Sequence, residues 1–286
     1  MASFTYNGSE IHFNTAGDGP ALLFMHGLTA DRSQAQQCLD GLAGYRVITL
    51  DMPGHGESRL SRNLALEKQA SFASYAGVAK ALLAHLGIAR VIAGGISMGA
   101  GLALHLALYS PGLVSALLLV RPAWLNQPGR PHLKIIEDVG QAIMDSGAEG
   151  GEARLLDHPF YATAKTENPD CAASIKGAIH RPQAVEAAGV LSALVANRPF
   201  AQMSQLGKCT IPALVVGNNA DPLHPALIAR DISGALANAE YFHAPPKYLE
   251  PAAHKAAIKL RIEQFLETHL QVPRAPAHSS AGGDKP

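Results

Sequence analysis

The sequence predicts an α/β architecture, a mostly parallel sheet flanked by helices with a helical segment inserted between strands. Three observations predict it. Short, largely apolar runs at residues 21–25, 45–50, 90–93, 117–120 and 213–216, the first of them continuously apolar, alternate with segments of helical spacing. Each run stops abruptly at Gly, Pro or polar residues, as strands buried on both faces do. The alternation then lapses between residues 121 and about 208, where helix-like pieces stand among Pro and Gly with no convincing strand.

Taken in order, residues 4–13 alternate around Asn7-Gly8, a dipeptide suited to a tight hairpin turn. After Gly17-Asp-Gly-Pro20, the strand at 21–25 ends at His26-Gly27-Leu28. Residues 31–42 fit a short helix, and the strand at 45–50 runs into DMPGHGES at 51–58. Helical spacing returns over 70–86, with Gly87 as a natural stop. Residues 90–108 read RVIAGGISMGAGLALHLAL: an apolar run, then Gly95-Ile96-Ser97-Met98-Gly99, then a long Ala/Leu helix ended by Ser110-Pro111-Gly112. Beyond the insertion come a strand at 211–217, a helix at 225–236 and a short strand at 240–243. The last helix, at 252–270, places Ile258, Ile262, Phe265 and Leu266 on one face. The tail from Gln271 is rich in Pro, Ala, Ser and Gly, a composition that predicts disorder. The chain therefore divides into a core (1–121 and 209–270), a helical cap (122–208) and a disordered tail (271–286).

Bulk composition narrows the function. The 286 residues carry a formal net charge of zero and no basic tract, which argues against a nucleic-acid partner. Cys38, Cys171 and Cys209 are odd in number and not in CxxC spacing, as expected of reduced thiols in a cytoplasmic protein. The N-terminus lacks a basic stretch followed by an apolar one, and no run approaches the ~20 apolar residues of a membrane span. No metalloprotease helix motif, dinucleotide fingerprint or P-loop occurs, so neither metal nor cofactor is expected.

In parallel sheets, ligands bind beyond the carboxyl ends of strands. Four polar groups fall at such ends: His26-Gly27, the 51–58 loop, Ser97 and Asp221. A strand entering a helix through Gly-x-Ser-x-Gly predicts a nucleophile elbow at Ser97. Its hydroxyl needs a base, normally a histidine oriented by a carboxylate. Asp221, just after the 213–216 strand, is the best-placed acid. His254 lies beyond the last short strand, at the entry to the final helix, and is the expected base; His243 is its rival, and His269 stands too far along the helix. The order Ser97, Asp221, His254 matches the Ser…Asp…His order of one hydrolase architecture. The N–H of Met98, at a helix start, and that of Leu28, after His26-Gly27, are the expected oxyanion donors. His26 and the 51–58 loop read as braces.

Met25-His26-Gly27, the 51–58 motif, Gly95-Ile96-Ser97-Met98-Gly99, Gly217-x-x-x-Asp221-Pro222 and His254 together resemble the α/β-hydrolase superfamily over the chain up to about Leu270. The resemblance implies a Ser97–His254–Asp221 triad, an oxyanion hole at Leu28 and Met98, and a helical cap over the serine. It implies hydrolysis of a small ester, lactone or related acyl substrate through an acyl-enzyme. The same triad also serves C–C bond hydrolases, acyltransferases and cofactor-free haloperoxidases, and the fold also hosts non-enzymatic receptors. His26, Trp124, Phe160 and Tyr161 are candidates to meet the substrate, with His158, His180 and Arg181 as further cap residues. An arginine of the cap (Arg154, Arg181 or Arg198) near Ser97 would indicate a substrate carboxylate.

Overall fold

A computed structural model describes residues 2–270; the tail expected to be disordered lies outside them. The predicted hairpin forms from β1 (Ala2–Tyr6) and β2 (Ser9–Ala16), with Asn7 and Gly8 both at positive φ in the turn. Six further strands follow: β3 (Ala21–Met25), β4 (Arg46–Leu50), β5 (Val91–Ile96), β6 (Val114–Val120), β7 (Ala213–Asn218) and β8 (Ala239–Ala244). They form one eight-stranded sheet in the order β1-β2-β4-β3-β5-β6-β7-β8. β2 runs antiparallel to both its neighbours, and all pairs from β4 to β8 are parallel.

The central strands are apolar at most positions because successive side chains enter different cores. Leu23 and Met25 of β3, with Leu117 and Leu119 of β6, join one hydrophobic cluster. Leu22, Phe24, Leu118 and Val120 join the other. The first face is covered by α2 (Phe72–His85), α3 (Met98–Tyr109) and α8 (Ala226–Ala235), the second by α1 (Arg32–Cys38) and α9 (Pro251–His269). Capping agrees with these starts: Asp31 accepts from the Ser33 N–H before α1, and Ser71 and Ser74 form a reciprocal capping box on α2.

Between β6 and β7 the described residues form helices α4 (Lys134–Leu156), α5 (Pro159–Glu167), α6 (Pro169–Gly177) and α7 (Ala188–Val195). α4 breaks at Gly147, whose φ of 68° is outside helical space. Arg181 docks this segment onto the loop after β4, donating to the carbonyls of Gly54 at 2.8 Å and Ala187 at 2.9 Å. Asn168 ties it to the loop after β7 through the Ala220 carbonyl, at 2.9 Å.

Candidate active site

Ser97 sits at the β5–α3 junction with φ 57° and ψ −108°, a strained conformation for a residue with a side chain. The turn is this tight because β5 and α3 meet against the end of β3. A Cβ at Gly99 would overlap the Met25 carbonyl oxygen, and one at Gly95 would meet both that oxygen and the Gly99 backbone. These two positions tolerate only glycine, so the Gly-x-Ser-x-Gly spacing follows from backbone contact.

Asp221 follows β7 and is buried. Its Oδ2 accepts from Arg121 Nη1 at 2.7 Å, and its Oδ1 accepts from the Leu223 N–H at 3.2 Å. The ring of His224, three residues on, lies between the acid and the serine. His224 Nδ1 is 2.9 Å from Asp221 Oδ1, and Nε2 is 2.9 Å from Ser97 Oγ. Burial alone pushes the Asp221 carboxyl up, but His224 and Arg121 outweigh it and hold it well below the usual carboxylate range. An ionised carboxylate only accepts, so Nδ1 carries the imidazole proton and Nε2 presents its lone pair to the Ser97 hydroxyl. Burial, with Arg121 adding to it against the pull of Asp221, holds His224 below the ordinary histidine value and therefore neutral at pH 7.

The Met98 N–H begins α3 and lacks an intrahelical acceptor, as first-turn donors do. Leu28 lies opposite, in a loop fastened from three sides. The Gly27 N–H donates to Gln34 Oε1 at 2.8 Å, and His55 Nε2 donates to the Leu28 carbonyl at 2.6 Å. His26 Nε2 accepts from the Met52 N–H at 3.0 Å, so its Nδ1 donates to the Gly27 carbonyl at 2.8 Å. Ser97, Leu28, Gly27 and His224 line a narrow cleft of about 50 Å³, closed on the helical side by Trp124, Leu133, Ile136 and Ser174. The arrangement can lower the barrier to serine attack on a carbonyl and hold the resulting oxyanion.

Residues 20–248 match the model of the alpha/beta hydrolase fold. The chain belongs to this family. Among curated relatives, a pimeloyl-acyl-carrier-protein methyl ester esterase of Vibrio campbellii is 27% identical over 251 residues, covering 83% of this chain and 92% of that one. A non-heme haloperoxidase of Rhodococcus erythropolis is 33% identical over 164 residues, 54% of this chain and 58% of the relative. The chain spans between 33% and 58% of the length of several curated relatives it matches. Among solved structures, a thermophilic esterase from Thermogutta terrifontis superposes with a TM-score of 0.71 at 20% identity, covering 93% of this chain and 97% of that one.

Within this alpha/beta hydrolase, Ser97 and Asp221 come together as expected, but the histidine between them is His224. His254 does not join them. α9 begins at Pro251, which puts His254 one turn inside the helix, and its Nδ1 donates back to the Pro245 carbonyl at 2.7 Å. Burial, with Arg121 and Lys247 adding to it, pushes it down to about 4. The loop after β8, where the expected order places the base, turns Lys247 and Tyr248 toward the cleft instead. His224 escaped notice because Asp221-Pro222-Leu223-His224 reads as a turn before a helix. The available signal was the three-residue spacing: the His224 N–H bonds the Asp221 carbonyl at 3.1 Å, closing a turn that stacks the two side chains.

Of the expected substrate contacts, Trp124 lines the cleft, edge-on to Phe72 and with Nε1 donating to the Leu194 carbonyl at 3.1 Å. Phe160 and Tyr161 pack on the hydrophobic core away from the cleft lining, and His26 is fully buried as a loop brace. His158 and His180 face Asp138 and Glu152. Arg154, Arg181 and Arg198 do not line the cleft: Arg154 pairs with Asp145, Arg181 holds backbone carbonyls, and Arg198 is exposed against Asn126.

Proposed function

We propose that this chain is a serine hydrolase that cleaves a small ester, lactone or related acyl compound through an acyl-enzyme on Ser97. The observation that carries this reading is the pair of 2.9 Å hydrogen bonds joining Ser97 Oγ, His224 and Asp221. Ser97 Oγ attacks the carbonyl carbon as its proton passes to His224 Nε2. Asp221 holds the imidazole and stabilises the imidazolium, and the N–H groups of Leu28 and Met98 bind the oxyanion. His224 returns the proton to the leaving oxygen, then deprotonates the water that releases the acid and regenerates Ser97. No cofactor takes part; the partner is the small substrate, and the helices of 122–208 act as the cap that selects it. The esterase relative, matched along nearly its whole length, supports ester cleavage over the other reactions of this fold.

A fluorophosphonate probe and a panel of short p-nitrophenyl esters and lactones test the reading. Wild type is expected to label and turn over, and Ser97→Ala to lose labelling and drop in turnover by about 10⁴–10⁶-fold. Labelling that persists in Ser97→Ala, or a folded wild type that neither labels nor cleaves any of the panel, overturns it.

A further inference from the structure

Two cations line the cleft beside Ser97, Arg121 and Lys247, and no carboxylate lines it. Arg121 is neutralised by its buried pair with Asp221. Lys247 has no such partner: among the described residues no carboxylate lies within ion-pairing distance, and its ammonium rests 4.3 Å from the centre of the Tyr248 ring. A half-buried ammonium held only by a ring face is poorly compensated for the water it has lost. Arg121 adds a second, independent sign. Its side chain is almost wholly buried, yet Nε keeps a hydrogen with no acceptor. A cleft beside the nucleophile that has one surplus positive charge and one unanswered buried donor is complementary to an anion.

Resting on the hydrolase reading above, we propose that Lys247 is the anchor for a carboxylate on the substrate, so that the enzyme prefers acyl compounds bearing a free acid over their neutral counterparts. The cation comes from the loop after β8 and not from Arg154, Arg181 or Arg198 of the cap. A lysine serves as a point charge with three rotatable donors, and its pairing needs no fixed fork geometry.

The proposal predicts a pH signature. Burial, with Arg121 adding to it, pushes Lys247 down to about 8, against the opposing pull of Asp221, Cys171 and Asp170. The other groups facing it change little near that pH. Burial pushes Cys171 up to about 11 and holds Tyr248 far above its ordinary value, while His224 and His254 are neutral. The carboxylate preference therefore fades as the pH rises past about 8, where the ammonium loses its charge.

The test compares monomethyl glutarate with its uncharged carboxamide analogue, following methanol release by wild type, Lys247→Met and Lys247→Arg. Wild type is expected to favour the hemiester. Lys247→Met should lower the hemiester-to-amide ratio of kcat/KM roughly 10- to 100-fold, mainly through KM, the usual worth of a hydrogen bond to a charged group. Lys247→Arg should keep most of the preference and carry it above pH 8. Calorimetric titration of Ser97→Ala protein with the hemiester reads binding without turnover, and Lys247→Met in that background should weaken it by a similar factor. A ratio indifferent to Lys247→Met, a wild type that favours the amide, or Ser97→Ala protein that does not bind the hemiester overturns the proposal. Lys247-dependent binding by a folded wild type that cleaves neither compound and does not label with the fluorophosphonate would instead overturn the hydrolase reading and leave the anion site standing.

Discussion

At the scale of single residues, the site depends on the protonation of His224. A base must be neutral to accept the serine proton, and burial beside Arg121 disfavours the imidazolium more than Asp221 favours it. The value therefore lies below the ordinary histidine range. The acid limb of a kcat/KM profile on a neutral ester is expected below pH 6.5, with activity level through pH 7. A limb above pH 6.5 would contradict the assigned electrostatics. The Arg121–Asp221 pair has a matching role, keeping the carboxylate ionised and its second oxygen occupied so that the first faces His224.

At the scale of elements, strands were the most legible feature because a strand buried on both faces is apolar at most of its positions. The runs at 21–25 and 45–50 match β3 and β4 to within a residue. β6 begins earlier than its apolar run because Ser115, a polar residue inside it, satisfies its hydroxyl on the Val91 carbonyl at 3.1 Å. The elbow was legible for a steric reason, since Gly95 and Gly99 press against the Met25 carbonyl and record a contact between elements. The base was not legible, because the evidence for it is relational. The one local cue, the three-residue spacing from Asp221 to His224, reads equally well as a turn before a helix. The distinction lies in the turn that closes over Asp221, and in the first turn of α9, which aims His254 at Pro245. Chain order pointed to His254, whereas the histidine lying between Ser97 and Asp221 is His224. The sequence could not place Arg154, Arg181 or Arg198 relative to Ser97; their side chains go to Asp145, to backbone carbonyls and to the Asn126 carbonyl.

At the scale of the whole molecule, six histidines among the described residues couple folding to pH. Burial holds His26, His55, His105, His132 and His224 below the ordinary value, His55 well below it, and pushes His254 down to about 4. Below pH 6.5 the unfolded chain takes up protons that the folded chain refuses, so stability falls as the pH falls and is level above that value. For His254 the span from about 6.5 to about 4 corresponds to roughly 3 kcal/mol. Urea midpoints measured from pH 7.5 to pH 4.5 are expected to decline steadily below pH 6.5. Midpoints unchanged over that range would show that these rings are not held neutral by the fold. Three of these rings also serve the fold's geometry, since His26 and His55 fasten the loop that carries Leu28 and His254 fastens the loop that carries Lys247.

The central claim is that His224, and not His254, serves Ser97. Steady-state kcat/KM on a short p-nitrophenyl ester, measured side by side for His224→Ala and His254→Ala with folding checked by circular dichroism, tests it most directly. The account predicts that His224→Ala loses at least about 10³-fold, as removal of a triad member does, while folded His254→Ala falls by less than about tenfold. The reverse order, with His254→Ala inactive and His224→Ala nearly unimpaired, would contradict it.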